Sequence, residues 1–224
     1  MGAQAARYED FSRRIPALRR LSWRAMPASG AILGQDASFE DRLVPSLEVM
    51  ERTAAHLRGL GVRLVLTSGS FDLIHLGHVK YLTRAKQLGD RLIVGVDSDA
   101  KIRRRKGPGR PMVPERERLE LLAHQRPVDL LYLKDENEPR WGLIKAVSPD
   151  VLVVSEDSKY SDAELRELRE FCGEVEVLER QASVTTSERI RQMHMHMGEQ
   201  LGPELGRAIE EVLPGLIDGI LTRR

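Results

Sequence analysis

Short apolar runs alternate with amphipathic stretches along most of this chain. The apolar runs are rich in Val, Leu and Ile and nearly continuous, as expected of strands that are covered on both faces. They lie at 63–67, 91–96, 128–133, 151–154 and 175–178. Helical patterns separate them at 76–88, 115–125, 139–146 and 161–172. This alternation predicts an α/β fold, namely a Rossmann-like doubly wound parallel sheet of about five strands.

Further helical patterns flank this predicted sheet. Ser46 is a suitable N-cap for a helix that runs to about Leu60, and one face of that helix is apolar. The apolar face consists of Leu47, Met50, Ala54 and Leu57. Residues 1–45 show no sustained period and are predicted to form an irregular or partly helical extension. A helix is predicted from about residue 187 to 197, followed by a break at Gly202-Pro203 and a last amphipathic stretch. The sequence thus predicts a central domain over 46–192 and a helical extension over 193–224.

Composition narrows the function classes. The formal net charge is +1, so the total charge does not call for nucleic acid or a membrane surface as a partner. Aromatic residues make up 4% of the chain, which argues against base-stacking platforms. The single cysteine, Cys172, fits a reducing compartment and a small core position near a helix end. We therefore expect a cytoplasmic protein that acts on small molecules.

Two histidines follow the first predicted strand. The segment Thr67-Ser68-Gly69-Ser70-Phe71-Asp72-Leu73-Ile74-His75-Leu76-Gly77-His78 leaves that strand and opens a helix. A helix start offers unpaired N–H groups and a positive dipole end, which suit a phosphate. His75 and His78 bracket Gly77 there, so both imidazoles could meet one anion. A protonated or N–H-donating imidazole suits charge that develops on an α-phosphate, although such a pair on its own could also arise by chance.

Residues 69–78 match every fixed position of the pattern G-x-F-D-x-x-H-x-G-H. Here the sequence resembles the cytidylyltransferase-like nucleotidyltransferase superfamily, and the resemblance covers about 62–192. It implies that the 46–192 domain transfers a nucleoside monophosphate from ATP or CTP to a phosphorylated small molecule and releases pyrophosphate. Mg²⁺ would accompany the nucleotide, and the protein itself would supply no metal ligands.

The resemblance also implies roles for individual residues. The catalytic residues would be His75, His78 and Lys106. The nucleotide would be bound by Gly69, Ser70, Phe71, Asp72, Gly77, Asp99, Arg118, Thr185 and Thr186. The acceptor would be bound by Arg105 and Arg126. For Asp72 the sequence allows two compatible roles, ordering the phosphate loop or acting as a plain turn cap.

For several of these arginines and lysines, the sequence allows either a role in the site or a place on the solvated surface. The basic run 101–106 leads into Gly107-Pro108-Gly109 and is predicted to be a loop, either a mobile cover over phosphates or a solvated charged segment. Lys106 is the candidate phosphate contact in this run, and Arg105 is the alternate. Arg118 either reaches the site or forms a surface ion pair. Arg126 either contacts the acceptor or is a solvated arginine at a helix end.

The nucleotide and the acceptor are left open by the sequence. Residues 106–111 and 138–153 look most like the adenylyltransferase domain of heptose-phosphate enzymes, which favours ATP and a sugar phosphate. Arg126 instead favours CTP with a polyol or amino-alcohol phosphate. Where sugar-phosphate adenylyltransferases tend to have Gly-Gly-Asp-Tyr, this chain has 155–160 as Ser-Glu-Asp-Ser-Lys-Tyr. In the segment that usually has Gly-x-Ser-Thr-Thr, it keeps only the two threonines, so the loop geometry there differs.

Three further interpretations concern other classes of function. A non-catalytic nucleotide-binding regulator is a rival, but the intact His75, His78 and Lys106 argue against it. His194 and His196 lie two apart on a predicted helix and so point away from each other, which excludes a shared metal ion on one face. The last amphipathic stretch predicts a homodimer through its apolar face.

Overall fold

The computed structural model of this protein describes residues 37–156, 158 and 160–179, together with 191–192, 195–197, 199, 201–202 and 207. The chain divides into two compact units, 1–183 and 184–224. The described residues of the second unit are helical. Three predicted features lie outside the described residues: the threonines Thr185 and Thr186, His194, and the last amphipathic stretch.

The first unit is built on a sheet of five parallel strands. The strands are β1 (Leu64–Gly69), β2 (Arg91–Asp97), β3 (Leu130–Lys134), β4 (Val151–Ser155) and β5 (Glu174–Leu178). Their order across the sheet is β3-β2-β1-β4-β5, and all neighbouring pairs are parallel. Each strand starts and ends within two residues of its predicted limits. The predicted Rossmann-like α/β fold is confirmed.

Helices connect the strands and cover both faces of the sheet. They are α1 (Phe39–Arg42), α2 (Leu47–Gly59), α3 (Leu76–Lys86), α4 (Asp99–Lys106), α5 (Glu115–Ala123), α6 (Gly142–Val147) and α7 (Asp162–Leu168). The hydroxyl of Ser46 caps α2 by accepting from the Val49 N–H at 3.2 Å. Met50, Ala54 and Leu57 are buried on the predicted apolar face of this helix.

The basic run 101–106 is helical, which corrects the predicted loop. Ser98 caps α4 through its hydroxyl, and buried Ile102 anchors the helix in the core. Arginine and lysine are good helix formers, and at the C-terminal end of a helix they complement its dipole. The high charge density of this run favoured the prediction of a loop. The short helix has only one buried apolar residue, Ile102, and so shows no apolar periodicity.

Two other helices are shorter than predicted. Helix α6 begins three residues late because Trp141, its N-cap, adopts a left-handed conformation with φ of 61°. Helix α7 ends at Leu168, four residues before the predicted end, and the chain then turns toward β5. Neither change alters the order of the elements.

The core consists of two layers, one on each face of the sheet. Alternate residues of β1 illustrate this, because Val65 belongs to one layer while Leu64 and Leu66 belong to the other. Helices α3 and α5 cover the first layer, and α2, α6 and α7 cover the second. Burial of each such side chain contributes roughly 1.5–3 kcal/mol.

The N-terminal segment from residue 39 adds to the first core layer. Phe39 and Leu43 are buried in it, and Leu43 forms a parallel bridge with Leu131 of β3. The backbone N–H of Val44 also donates to the Leu131 carbonyl at 2.9 Å. The core thus includes residues that the sequence assigned to the 1–45 extension.

The strand order creates a crevice at one edge of the sheet. The chain passes from β1 to β2 and β3 on one side and then returns to β4 on the other side of β1. In open α/β sheets, ligands bind outside the carboxyl ends of the strands at such a switch point. Loops after β1, β2, β3 and β4 therefore meet where the sequence predicted the chemistry. Among the described residues, no helix combines the length and apolar character needed to cross a membrane.

Candidate active site

The paired histidines lie at the start of α3, directly outside the carboxyl end of β1. His75 is the N-cap, and its Nδ1 accepts from the Gly77 N–H at 3.1 Å. The Nδ1 of His78 accepts from the backbone N–H of His75 at 3.3 Å, and the two ring centroids are 4.1 Å apart. Since each Nδ1 accepts an N–H, each neutral ring carries its proton on Nε2. The pair therefore presents two adjacent Nε2–H donors.

The environment of His78 decides its protonation state. Burial, followed by the charges of His75 and Lys106, lowers the pKa of His78 to about 4. The ring is therefore neutral near pH 7, where it donates a hydrogen bond without carrying charge. The sequence left both the charged and the neutral form open, and burial selects the neutral one.

The loop between β1 and α3 is held in a compact turn. Phe71 is buried, has a left-handed φ of 46°, and packs its ring 5.6 Å from that of His78. A Cβ at Gly69 would lie 3.1 Å from the Phe71 ring, closer than side chains normally approach. Backbone strain of this kind is found at ligand-binding turns, where the surrounding structure stabilises it. Gly69 and Phe71 thus fix the path of the backbone next to the histidines.

The Asp72 carboxylate joins this loop to the segment that precedes α5. It is buried, with 3% of its side chain exposed, and forms an ion pair with Arg110 at 2.7 Å. It also accepts from the backbone N–H groups of Met112 at 2.7 Å and Val113 at 3.0 Å. These partners are about 40 residues away in sequence, so Asp72 is far more than a local turn cap.

Arg118 ties three segments of the site together. Its side chain is fully buried, with 0% exposed. It donates to the carbonyls of Val113, Ser70 and Asp97 and to the Asp99 carboxylate. The surface ion pair that the sequence allowed is therefore wrong. Because the Arg118 guanidinium donates its hydrogen bonds to protein acceptors, we interpret Arg118 as a residue that positions the Ser70 loop. Asp99, at 2.7 Å, is its charged partner.

Arg105 and Lys106 bring positive charge to the loop from the end of α4. The Arg105 guanidinium donates to the Ser70 hydroxyl at 2.7 Å and pairs with the Asp97 carboxylate at 2.9 Å. Burial and the charges of Arg105 and Arg110 lower the pKa of Lys106. Lys106 lies near enough to His78 to act on its pKa. The two predicted basic contacts are therefore on the same side of the site as the histidines.

Arg126 lies at the opposite edge of the sheet, which corrects its predicted place in the site. It is exposed and precedes β3, where the neighbouring Asp129 N–H donates to Leu92 near the beginning of β2. The Asp129 carboxylate pairs with Lys86 and Arg91 at this amino edge. An arginine that precedes a parallel strand lies far from the carboxyl ends where the histidines are.

Two residues near the site were not singled out from the sequence. Asp97 ends β2 with 2% of its surface exposed, and Lys134 ends β3 with its Nζ 3.5 Å from the Asp97 carboxylate. Burial alone would raise the pKa of Asp97, but Lys134, Arg105 and Lys101 outweigh it and lower that pKa. Their position was the available signal, because charged residues at the carboxyl end of a buried strand are seldom needed for packing.

Known proteins share the segment that carries this geometry. The family model described as cytidylyltransferase-like matches residues 66–200. Bifunctional protein HldE of a Nitratiruptor species is 39% identical over 151 residues, which cover 67% of this chain and 32% of that protein. Bifunctional protein HldE of Syntrophotalea carbinolica is 48% identical over 100 residues, which cover 45% of this chain and 20% of that protein.

A solved structure is also similar in part. The crystal structure of the lipopolysaccharide core biosynthesis protein from Thermoplasma volcanium has 33% identity and a TM-score of 0.46, and covers 54% of this chain and 97% of that one. The present chain spans about a third of the length of the first curated relatives it matches. The matched family segment takes up more than half of the chain and includes both histidines, and so this chain belongs to the cytidylyltransferase-like family.

Proposed function

We propose that this chain is a nucleotidyltransferase that moves a nucleoside monophosphate, AMP in the favoured case, from an NTP to the phosphate of a sugar phosphate, with release of pyrophosphate. The observation that carries this proposal is the His75–His78 pair at the start of α3, with a neutral His78, at the switch point of the sheet and beside Lys106. Family membership supports the reaction class.

The geometry supports an in-line displacement without a covalent enzyme intermediate. The α3 N-terminus and the backbone around Ser70 would hold the triphosphate. An oxygen of the acceptor phosphate attacks the α-phosphorus, and the bond from that phosphorus to the bridging oxygen breaks. The Nε2–H groups of His75 and His78 donate to the α-phosphate oxygens as charge builds on them. Pyrophosphate leaves with the electron pair toward Arg105 and Lys106. Catalysis is then positioning and charge stabilisation.

Mg²⁺ would reach the site with the nucleotide. Among the described residues, no group of three or more His, Cys, Asp or Glu side chains lies together in a way that could hold a metal ion. The Asp97 carboxylate at the end of β2 and the Asp99 carboxylate at the start of α4 are paired with arginines. Phosphate oxygens and water suit Mg²⁺ as ligands. When bound, the ion would neutralise charge on the leaving pyrophosphate.

ATP with a sugar phosphate is favoured over CTP with a polyol or amino-alcohol phosphate. Residues 106–111 and 138–153 resemble the adenylyltransferase domain of heptose-phosphate enzymes, and the relatives named above are bifunctional proteins of the HldE type. The feature that favoured CTP was Arg126, which lies at the opposite edge of the sheet. Its distance from the histidines removes that support.

Pyrophosphate release tests both the class and the substrates. ATP and CTP would each be combined, in the presence of Mg²⁺, with heptose 1-phosphate, glycerol 3-phosphate, ribitol 5-phosphate and phosphocholine. We expect release with ATP and the sugar phosphate, and a nucleoside diphosphate sugar in equal amount. Release only with CTP and a polyol or amino-alcohol phosphate would support the alternative. If calorimetry detects NTP binding but no pair releases pyrophosphate, the result points to an acceptor outside this panel or to the non-catalytic regulator.

A further inference from the structure

Four charged side chains form a cluster next to the candidate active site, of which the proposed reaction uses only one. We name Asp97, Lys101, Arg105 and Lys134 the edge cluster, because they lie at the carboxyl ends of β2 and β3 and on α4. Asp97 pairs with Arg105 at 2.9 Å and with Lys134 at 3.5 Å. The Lys101 ammonium donates to the Asp135 carbonyl at 3.4 Å. Arg105 connects the cluster to the phosphate loop through the Ser70 hydroxyl.

The Lys134 side chain lies over the neighbouring strand β2. It starts on β3, yet its Cδ would lie 2.8 Å from a Cβ built at Gly95 on β2. The same Cβ would lie 2.6 Å from the hydroxyl of Ser68, which belongs to β1. The absence of a side chain at Gly95 therefore leaves room for the Lys134 stem over β2, from where its ammonium group reaches the Asp97 carboxylate.

The charge balance of the edge cluster leaves positive charge in excess. Its three cations face one carboxylate of their own, that of Asp97. The nearest other carboxylate, Glu138, already accepts from the Tyr132 hydroxyl at 2.6 Å and the Asp135 N–H at 3.1 Å. Burial raises the pKa of Glu138, while these hydrogen bonds and the charges of Lys101 and Lys134 act in the opposite direction.

The charge of Lys134 also destabilises the charged form of Lys101. Burial, followed by the charge of Lys134, lowers the pKa of Lys101, and the attraction of Asp97 and Glu138 does not make up the difference. Like charges that are held together while partly desolvated raise the free energy of the protein unless an anion binds between them. A cluster of this kind, in contact with the phosphate loop through Arg105, is typical of a ligand site.

We propose that Lys101 and Lys134 bind a second anionic group of the acceptor, so that the preferred acceptor is a sugar phosphate that carries a further carboxylate or phosphate. This inference rests on the proposed function. The edge cluster lies one to two strands from the β1 loop, which is about 5–10 Å at the usual strand spacing. A monosaccharide can span that distance, with its reacting phosphate at the histidines and its second anion at the lysines.

Equilibrium binding tests this site without requiring turnover. The full chain, saturated with a non-hydrolysable ATP analogue and Mg²⁺, would be titrated in a calorimeter with glucose 1-phosphate, glucuronic acid 1-phosphate and glucose 1,6-bisphosphate. We expect at least tenfold tighter binding of one or both doubly anionic probes, and the better of the two identifies the second anion as carboxylate or phosphate. Lys101→Met and Lys134→Met should each reduce this preference, and the double variant should abolish it.

The matched control is Arg103→Met, which removes a positive charge from an exposed position on α4 outside the edge cluster. Arg103→Met should keep the preference for the doubly anionic probes. All of the variants should bind the ATP analogue as the unmodified chain does. Equal binding of the three probes by the unmodified chain would overturn the inference, and so would a preference that survives in the double variant. If the doubly anionic probes bind more tightly and the lysine variants lose this preference, but no acceptor yields pyrophosphate, only the proposed function is contradicted.

Discussion

At the scale of single residues, chemistry that depends on neighbours distant in sequence could not be predicted. The pattern at 69–78 placed His75 and His78 together at a helix start, and the structure finds them there with their rings 4.1 Å apart. Their protonation could not be predicted, since the pKa of His78 depends on its burial and on Lys106, which comes from another helix. Asp72 is a similar case, because its partners lie about 40 residues ahead.

The His78 ring should titrate far below the ordinary histidine range. Its pKa is lowered, so the charged form exists only below about pH 4 and is lost as pH rises through that value. An NMR titration of the ring protons, assigned by comparison with His78→Gln, should give a midpoint near 4 in the free protein. ATP should raise the midpoint, because the triphosphate favours a protonated ring. A free-protein midpoint near about 6.5 would contradict the buried, neutral histidine.

At the scale of elements, apolar pattern and position along the strands were the reliable guides. Strands β1 to β4 were predicted because each is a nearly continuous apolar run that is buried in the core. Strand β5 is an edge strand in which valine alternates with glutamate, and only Leu178 is buried. Helix α4 was missed because its one buried residue, Ile102, gives no periodicity. The misplacement of Arg126 was avoidable, since a residue that precedes a predicted strand belongs at the amino edge of a parallel sheet.

The contact between the phosphate loop and the segment before α5 should depend on the Asp72 charge. In Asp72→Asn, Arg110 loses its buried partner, and we expect the free energy of unfolding to fall by roughly 3 kcal/mol. The KM for NTP should rise at least tenfold because the loop is no longer fixed. Denaturant titration and initial rates would measure the two effects.

Glu48→Gln provides the control for that variant. It removes a carboxylate from an exposed pair with Arg52 on α2, 3.7 Å apart. Such pairs contribute little, so the change in unfolding free energy should stay below about 0.5 kcal/mol. If Asp72→Asn were as stable as Glu48→Gln and bound NTP equally well, the loop would not be held in the way described.

At the scale of the whole molecule, the described residues cover the first compact unit more fully than the second. The loop with Thr185 and Thr186, predicted to bind nucleotide, lies outside the described residues, as does the stretch predicted to form a homodimer. Both stay predictions from the sequence. The relatives are about three times as long as the part of them that this chain matches, so its place in a larger activity is a matter for proposal.

The most direct test of the account is the rate of pyrophosphate release from ATP and the accepted sugar phosphate, compared between His78→Ala and His56→Ala. His56 is exposed on α2, away from the site, and serves as the matched control. Loss of one preorganised donor to the α-phosphate should slow turnover by about 100-fold or more in His78→Ala, while His56→Ala keeps the parent rate. A near-normal rate in His78→Ala would contradict the assignment of nucleotidyl transfer to this histidine pair.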